Sequence, residues 1–297
     1  MNESIDASLP RKLLLATDLS ARCDRPLERA RQLAAQWNAS LDLLTVREGP
    51  QVPAEVVQWL AGPEASTEAE FDARRDIARE FEGCGFPVSL HFADGDVADA
   101  VQQAATRLDS ALVVAGAARV NTLGEMFLGS AVERLARNLG RPLLVVRQRA
   151  RTPYRRILVP TDFSAAARLA LATAARLFPD AQLIVFHAHE PGLETLADAT
   201  PAPAADGGLR LRCERFLDDC GLPPQVRARI AIDSAPGAPE ASTARYVREH
   251  AVDLAVLGLH SQAGMLRLFI GSKGEQLLRS LDCDTLLVCT GASDENN

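Results

Sequence analysis

Two rhythms of apolar residues alternate along the chain. Short unbroken apolar runs read as strands buried on both faces, and apolar residues three and four apart read as helices with one inward face. In the first half Lys12–Thr17 is a buried strand, and Leu27, Ala30, Ala34 and Trp37 stripe the helix after it. Leu41–Val46 is the second strand, and Phe71, Ala78 and Phe81 mark the apolar face of the second helix. Val88–Phe92, Val97–Leu108 and Ala111–Gly116 continue as strand, helix and strand. Val132, Leu135, Ala136 and Leu139 define the last helix, and Leu143–Val146 the last strand. The second half repeats this order, with Leu209, Cys213, Phe216, Leu217 and Cys220 on one helical face. Strands alternating with amphipathic helices imply a parallel sheet covered on both faces, and right-handed crossovers leave few topologies for it.

The repetition extends to individual residues. Leu13-Leu14-Leu15-Ala16-Thr17-Asp18-Leu19-Ser20 matches Ile157-Leu158-Val159-Pro160-Thr161-Asp162-Phe163-Ser164, an offset of 144 residues from Asp18 to Asp162. Phe127-Leu128-Gly129-Ser130 matches Phe269-Ile270-Gly271-Ser272, an offset of 142 from Gly129 to Gly271. The unit is far longer than a solenoid repeat, so the chain is read as a duplicated domain, residues 1–150 and 151–297. The basic stretch Arg147–Pro153 reads as the linker. Two long connections, Glu48–Ser66 and Glu190–Gly208, follow the second strand of each half and read as surface loops or lids.

Composition narrows the function. The chain has 297 residues, 47% hydrophobic and 24% charged, which is ordinary for a globular protein. With 32 basic and 39 acidic residues the net charge is −7, so no basic field gathers nucleic acid or an anionic membrane. No apolar run approaches a membrane span, and the acidic start Met-Asn-Glu-Ser-Ile-Asp does not read as a signal peptide. The six cysteines form no C-x-x-C pair or zinc spacing, so reduced thiols and a cytoplasmic location are expected, with no metal site.

The candidate chemistry lies where strands end. Gly258–Ser272 follows a strand and leads into a helix, where free amides and the helix dipole make a ready anion site. Thr161-Asp162 ends the first strand at the same edge, where ligands of open α/β sheets bind. The carboxylate suits a ribose hydroxyl, an adenine amine or a metal on phosphates. It equally suits an N-cap of the next helix. His260 reads as a phosphate neighbour or an exposed loop residue. His187 and His189 stand two residues apart at the end of a strand, and no shared metal is expected of them. Cys213 and Cys220 read as packed core. The chain holds no G-x-x-x-x-G-K-[ST] loop, no G-x-G-x-x-G after a strand, no H-E-x-x-H and no G-x-S-x-G elbow, and no catalytic residue is assigned.

The strand-end Thr-Asp, the spaced glycines and the Leu-Leu-Val-Val last strand together resemble the universal stress protein family, twice over nearly the whole chain. The resemblance implies two tandem Rossmann-like or flavodoxin-like domains, each a five-stranded parallel sheet of order 3-2-1-4-5 with helices on both faces. It implies an adenine nucleotide, ATP with Mg2+ on its phosphates, at Pro160, Thr161, Asp162, Ala188, Gly258, His260, Ser261, Gly271, Ser272 and Lys273. A weaker second site falls at Ala16, Thr17, Asp18, Val46, Gly116, Arg119, Gly129 and Ser130. Both copies depart from the family's Gly-x2-Gly-x9-Gly-Ser/Thr signature: Ser261 and Arg119 stand where its middle glycine lies. The resemblance also implies that the two last strands cover one another as an intrachain pseudo-dimer, with a further homodimer compatible. The leading expectation is an ATP-binding stress-response or signalling protein that works by shape or partner affinity, without turnover. The alternative is a duplicated scaffold that has lost nucleotide binding. A third reading, an adenylyl-transferring enzyme, lacks its His-x-Gly-His motif.

Overall fold

A computed structural model describes residues 9–20, 23–47, 63–117, 130–189, 203–259 and 272–289. The chain divides into two compact units, residues 10–116 and 117–297.

The first unit runs β1 (Lys12–Ala16), α1 (Asp24–Trp37), β2 (Ser40–Arg47), α2 (Pro63–Glu80), β3 (Val88–Asp94), α3 (Val97–Arg107) and β4 (Leu112–Gly116). Its strands are all parallel, in the order β3-β2-β1-β4. Leu13, Leu14, Leu15, Leu41, Leu43 and Leu44 are fully buried, as continuous apolar runs in a two-sided sheet require. Helix α1 buries Ala30, Leu33, Ala34 and Trp37 and ends on Asn38 in the left-handed region, whose N–H caps the last turn. Helix α2 departs from the expected stripe. Phe71 is 67% exposed and Ala78 is exposed, while Ala73, Ile77 and Phe81, spaced i, i+4, i+8, turn inward. The expected face of Phe71, Ala78 and Phe81 gives way to one centred on Ile77, which shares only Phe81 with it.

The second unit runs α4 (Ser130–Asn138), β5 (Leu143–Val146), β6 (Arg156–Pro160), α5 (Ala165–Leu177), β7 (Gln182–His189), α6 (Pro203–Asp219), α7 (Pro224–Arg227), β8 (Ile230–Pro236), α8 (Pro239–Glu249), β9 (Leu254–Leu259), α9 (Ser272–Ser280) and β10 (Asp284–Cys289). Its sheet order is β5-β10-β9-β6-β7-β8. The second repeat therefore has the expected 3-2-1-4-5 order, all parallel. The sheet of this unit is not wholly parallel, however: β5, the last strand of the first repeat, joins it antiparallel to β10, with Val145 opposite Thr285 and Leu143 opposite Leu287.

That junction carries a buried polar cluster. Asp284 and Thr285 are fully buried, and Arg147 is 3% exposed. Oδ1 of Asp284 accepts the backbone N–H groups of Arg147 (2.7 Å) and Gln148 (2.8 Å), and Oδ2 accepts the Tyr154 hydroxyl at 2.6 Å. Arg147 donates to Thr285 Oγ1 at 3.1 Å and to the Leu278 carbonyl, near the end of α9, at 2.7 Å. Burial pulls its guanidinium below the usual range, against the nearby acidic groups that favour its charge. The stretch expected to be a plain basic linker is thus anchored at both ends.

Both long connections are shorter than expected. Residues 63–66 and 203–208 already belong to α2 and α6, and each of these helices opens on a proline, whose fixed φ and missing N–H suit the first helical position. The remainder, 48–62 and 190–202, lies outside the described residues.

Candidate nucleotide site

Each repeat ends its first strand in the same turn. The Thr17 and Thr161 hydroxyls accept the N–H groups of Leu19 (3.0 Å) and Phe163 (2.9 Å). Their own N–H groups stay in the ladder, donating to the carbonyls of Leu44 (3.0 Å) and Phe186 (2.8 Å). Asp18 and Asp162 then accept the N–H groups of Ser20 and Ser164, each at 2.9 Å. Closing the turn this way forces the residue after Asp into the left-handed region, with φ of 56° at Leu19 and 67° at Phe163. A bulky side chain there costs on the order of 1–3 kcal/mol and persists only where its surroundings over-determine it. Thr17 and Thr161 are buried and occupied within the turn, while both carboxylates face solvent.

Asp18 is held below the ordinary carboxylate value. Partial burial works against its charge, and hydrogen bonds from Ser20 and Cys23 outweigh it. The N-cap reading of Asp162 does not hold: the cap of α5 is Ser164, whose hydroxyl accepts the Ala167 N–H at 3.2 Å.

The fold gathers the other candidates at the carboxyl ends of three neighbouring strands. In the second repeat these are Pro160, the last residue of β6, with Thr161 after it, Ala188 on β7 and Gly258 on β9; in the first they are Ala16, the last residue of β1, with Thr17 after it, Val46 on β2 and Gly116 on β4. Val46 and Ala188 are both half-buried. Ser130 and Ser272 are the first residues of α4 and α9, and Lys273 follows in the first turn, so a helix does begin where the glycine-serine pairs predict. Arg119, Gly129, His260, Ser261 and Gly271 lie outside the described residues.

Gly258 has a steric explanation. A Cβ on it would lie 2.1 Å from the Ala166 carbonyl oxygen and 2.3 Å from its carbon, so the start of α5 fills the space a side chain needs. At Gly116 the nearest atom to such a Cβ is Cγ of Pro26, at 3.3 Å. Glycine at the end of this strand serves helix-to-strand approach in the second repeat, whatever else binds there.

The sequence did not reveal what supports the turns. In the second repeat His187 Nδ1 lies 2.8 Å from the Thr161 carbonyl, which fixes the proton on Nδ1 because a carbonyl only accepts. Its ring packs 4.6 Å from Phe163, with Phe216 edge-on at 5.7 Å and the Arg212 guanidinium 4.4 Å over the Phe163 ring. The ladder bonds put Thr45 where the second repeat has His187. Thr45 Oγ1 is buried with no hydrogen-bond partner among the described residues. Among those residues no group of three His, Cys, Asp or Glu could hold a metal ion. Cys213 is buried, and burial pushes the half-buried Cys220 thiol up to about 11, as packed thiols rather than reactive ones.

An exposed aspartate follows the first strand of each repeat, and half-buried Val46 and Ala188 stand near the end of the strand paired with it. A model of the universal stress protein family matches residues 10–147 and again 153–288. Among solved structures, a universal stress protein from Archaeoglobus fulgidus is 20% identical, with a TM-score of 0.73 over 95% of this chain and 99% of that one. A functionally unknown protein from Pseudomonas aeruginosa is 17% identical, with a TM-score of 0.65 over 96% and 95% of the two chains. At these identities the likeness is one of fold. No curated protein matches the chain. No helix among the described residues is long and apolar enough to cross a membrane.

Proposed function

Since this chain belongs to the universal stress protein family, in two tandem copies, we propose that it is a stress-response protein that binds ATP or a related adenine nucleotide at its strand-end turns. The observation that carries the reading is the turn itself. A strained backbone is built identically twice and holds an exposed carboxylate that caps no helix. Asp162 would accept from a ribose hydroxyl or the adenine amine, and Ala188 would lie against the base. The phosphates, with any Mg2+ they carry, would meet the segment from Gly258 to Lys273. The role is ligand-dependent shape or partner affinity rather than turnover, in the cytoplasm.

A second reading, a duplicated scaffold without nucleotide, is favoured by Gly258, whose missing side chain is accounted for by α5 alone. Thermal unfolding with and without ATP separates the two. ATP at one hundred times its Kd stabilises a single site by about 2.7 kcal/mol. Asp162→Ala is expected to remove that gain and leave the ligand-free protein folded. Ser164→Ala is expected to lower ligand-free stability by about 1 kcal/mol and retain the gain. No stabilisation of the native chain by any adenine nucleotide would favour the scaffold.

A further inference from the structure

We propose that His187 is a positioning residue of the candidate nucleotide site: its bond to the Thr161 carbonyl fixes the peptide that leads into Asp162, and with it the carboxylate offered to the ligand. This role rests on the ATP reading above and names the group that prepares the second repeat for it.

The turn after β6 is shaped from within and held from outside. The Thr161 hydroxyl accepts the Phe163 N–H and the Asp162 carboxylate accepts the Ser164 N–H, each at 2.9 Å. Both bonds lie inside the turn, so they give it its form without tying it to the sheet. His187 on β7 supplies that tie. Its Nδ1 lies 2.8 Å from the Thr161 carbonyl, the group directly before Asp162, and it donates because a carbonyl only accepts. On the other side of Asp162 the same imidazole packs 4.6 Å from the Phe163 ring. Phe163 has a φ of 67°, a strained conformation that persists only where its surroundings over-determine it. The backbone on both sides of Asp162 is therefore set by one side chain. A carboxylate already held in its bound position lowers the ordering cost of binding.

The first repeat builds the same turn without this clamp. Its ladder puts Thr45 at the place of His187. Thr45 Oγ1 is buried with no hydrogen-bond partner among the described residues, so it does not hold the Thr17 carbonyl. Leu19 stands where the second repeat has Phe163 and brings no ring. The next strand is exchanged in the opposite sense. Ser234 on β8 lies opposite His187, and Phe92 on β3 lies opposite Thr45. Residues directly opposite on neighbouring strands share one face and pack together. Each repeat thus pairs a large side chain with a small one, and only the second places the large one beside the turn.

Calorimetric titration of the full chain with ATP tests the role, together with thermal unfolding and amide hydrogen exchange of the ligand-free protein. His187→Phe keeps a ring beside Phe163 and removes the donor. It should weaken ATP about tenfold, the scale of one hydrogen bond, and speed exchange of the Phe163 and Ser164 amides. His187→Asn places a side-chain N–H near the position of Nδ1 and has no ring, and it should restore most of the affinity. A residue that only packs would show the reverse, with Asn the more damaging change and the unfolding midpoint falling with it. Thr45→Val should leave ATP affinity unaltered. His187→Leu decides the matter if His187→Phe does not fold. Undiminished ATP affinity in the folded variants without a donor would overturn this role alone, as would an Asn variant that binds no better than they do, or an equal loss in Thr45→Val. A native chain that binds no adenine nucleotide would overturn the ATP reading, and this role with it.

Discussion

At the scale of single residues, the same letter serves different ends in the two repeats. Gly116 and Gly258 occupy matching strand ends, yet a Cβ would press on a proline ring at the first and on peptide backbone at the second. A ring gives by a few tenths of an ångström; a helix start cannot. Gly258→Ala is therefore expected to destabilise by at least about 1–3 kcal/mol, as overpacking does. Gly116→Ala should fall near zero, since the strain is offset by roughly 0.5–1 kcal/mol of lost unfolded-chain freedom. Urea unfolding of both variants checks this, and equal losses would refute the steric account. The Thr-Asp pairs were legible as candidates in the sequence, but the bond that decides their role was not. Only the placed Ser164 hydroxyl shows that capping belongs to it and not to Asp162.

Among elements, the junction of β5 and β10 is where a few buried polar groups hold the most. Asp284 ties together the end of β5, the following turn and Tyr154, and Arg147 beside it is almost wholly buried. Removing one partner of such a cluster leaves a buried charge without compensation. Asp284→Ala is expected to cost about 3–5 kcal/mol, and Asp284→Asn less, because it keeps an acceptor. Hydrogen exchange should then show the amides of Leu143–Val146 losing protection ahead of those in β6 and β9. If all strands lose protection together, the cluster does not hold this junction in particular. The hydrophobic pattern marked both last strands as apolar and in need of cover, but not that Arg147, in a run of basic residues, would be the buried one. Nothing in a run of Arg and Gln separates an exposed linker from one whose first backbone N–H meets a carboxylate 137 residues away.

For the molecule as a whole, duplication raises the question of how many nucleotides one chain holds. The second repeat offers Ser261, Arg267 and Lys273 around its glycine-serine pair, whereas the first has Arg119, Glu125 and Ala131 at those places. Two unit charges about 4 Å apart interact by roughly 4 kcal/mol at an effective dielectric of 20, enough to separate binding from none. The proposal is one tight site per chain, in the second repeat. Calorimetric titration with ATP is expected to give a single site lost in Gly271→Val and kept in Gly129→Val. Two equal sites, or the reverse pattern, would invert the ranking.

The order of strands and helices, the duplication and the strand-end turn are properties of the sequence itself. Each rests on near neighbours: the periods of strand and helix, proline and serine at helix starts, Thr and Asp beside their own backbone. Tertiary structure decided what depends on distant partners. Leu143–Val146 lies against β10 of the other repeat, α2 turns Ile77 rather than Phe71 inward, and one turn is packed by Phe163 and His187 while the other has no ring at those places. An apolar strand pattern records that a face must be covered but not by what, and which stripe of a helix turns inward is settled only by the surface it meets.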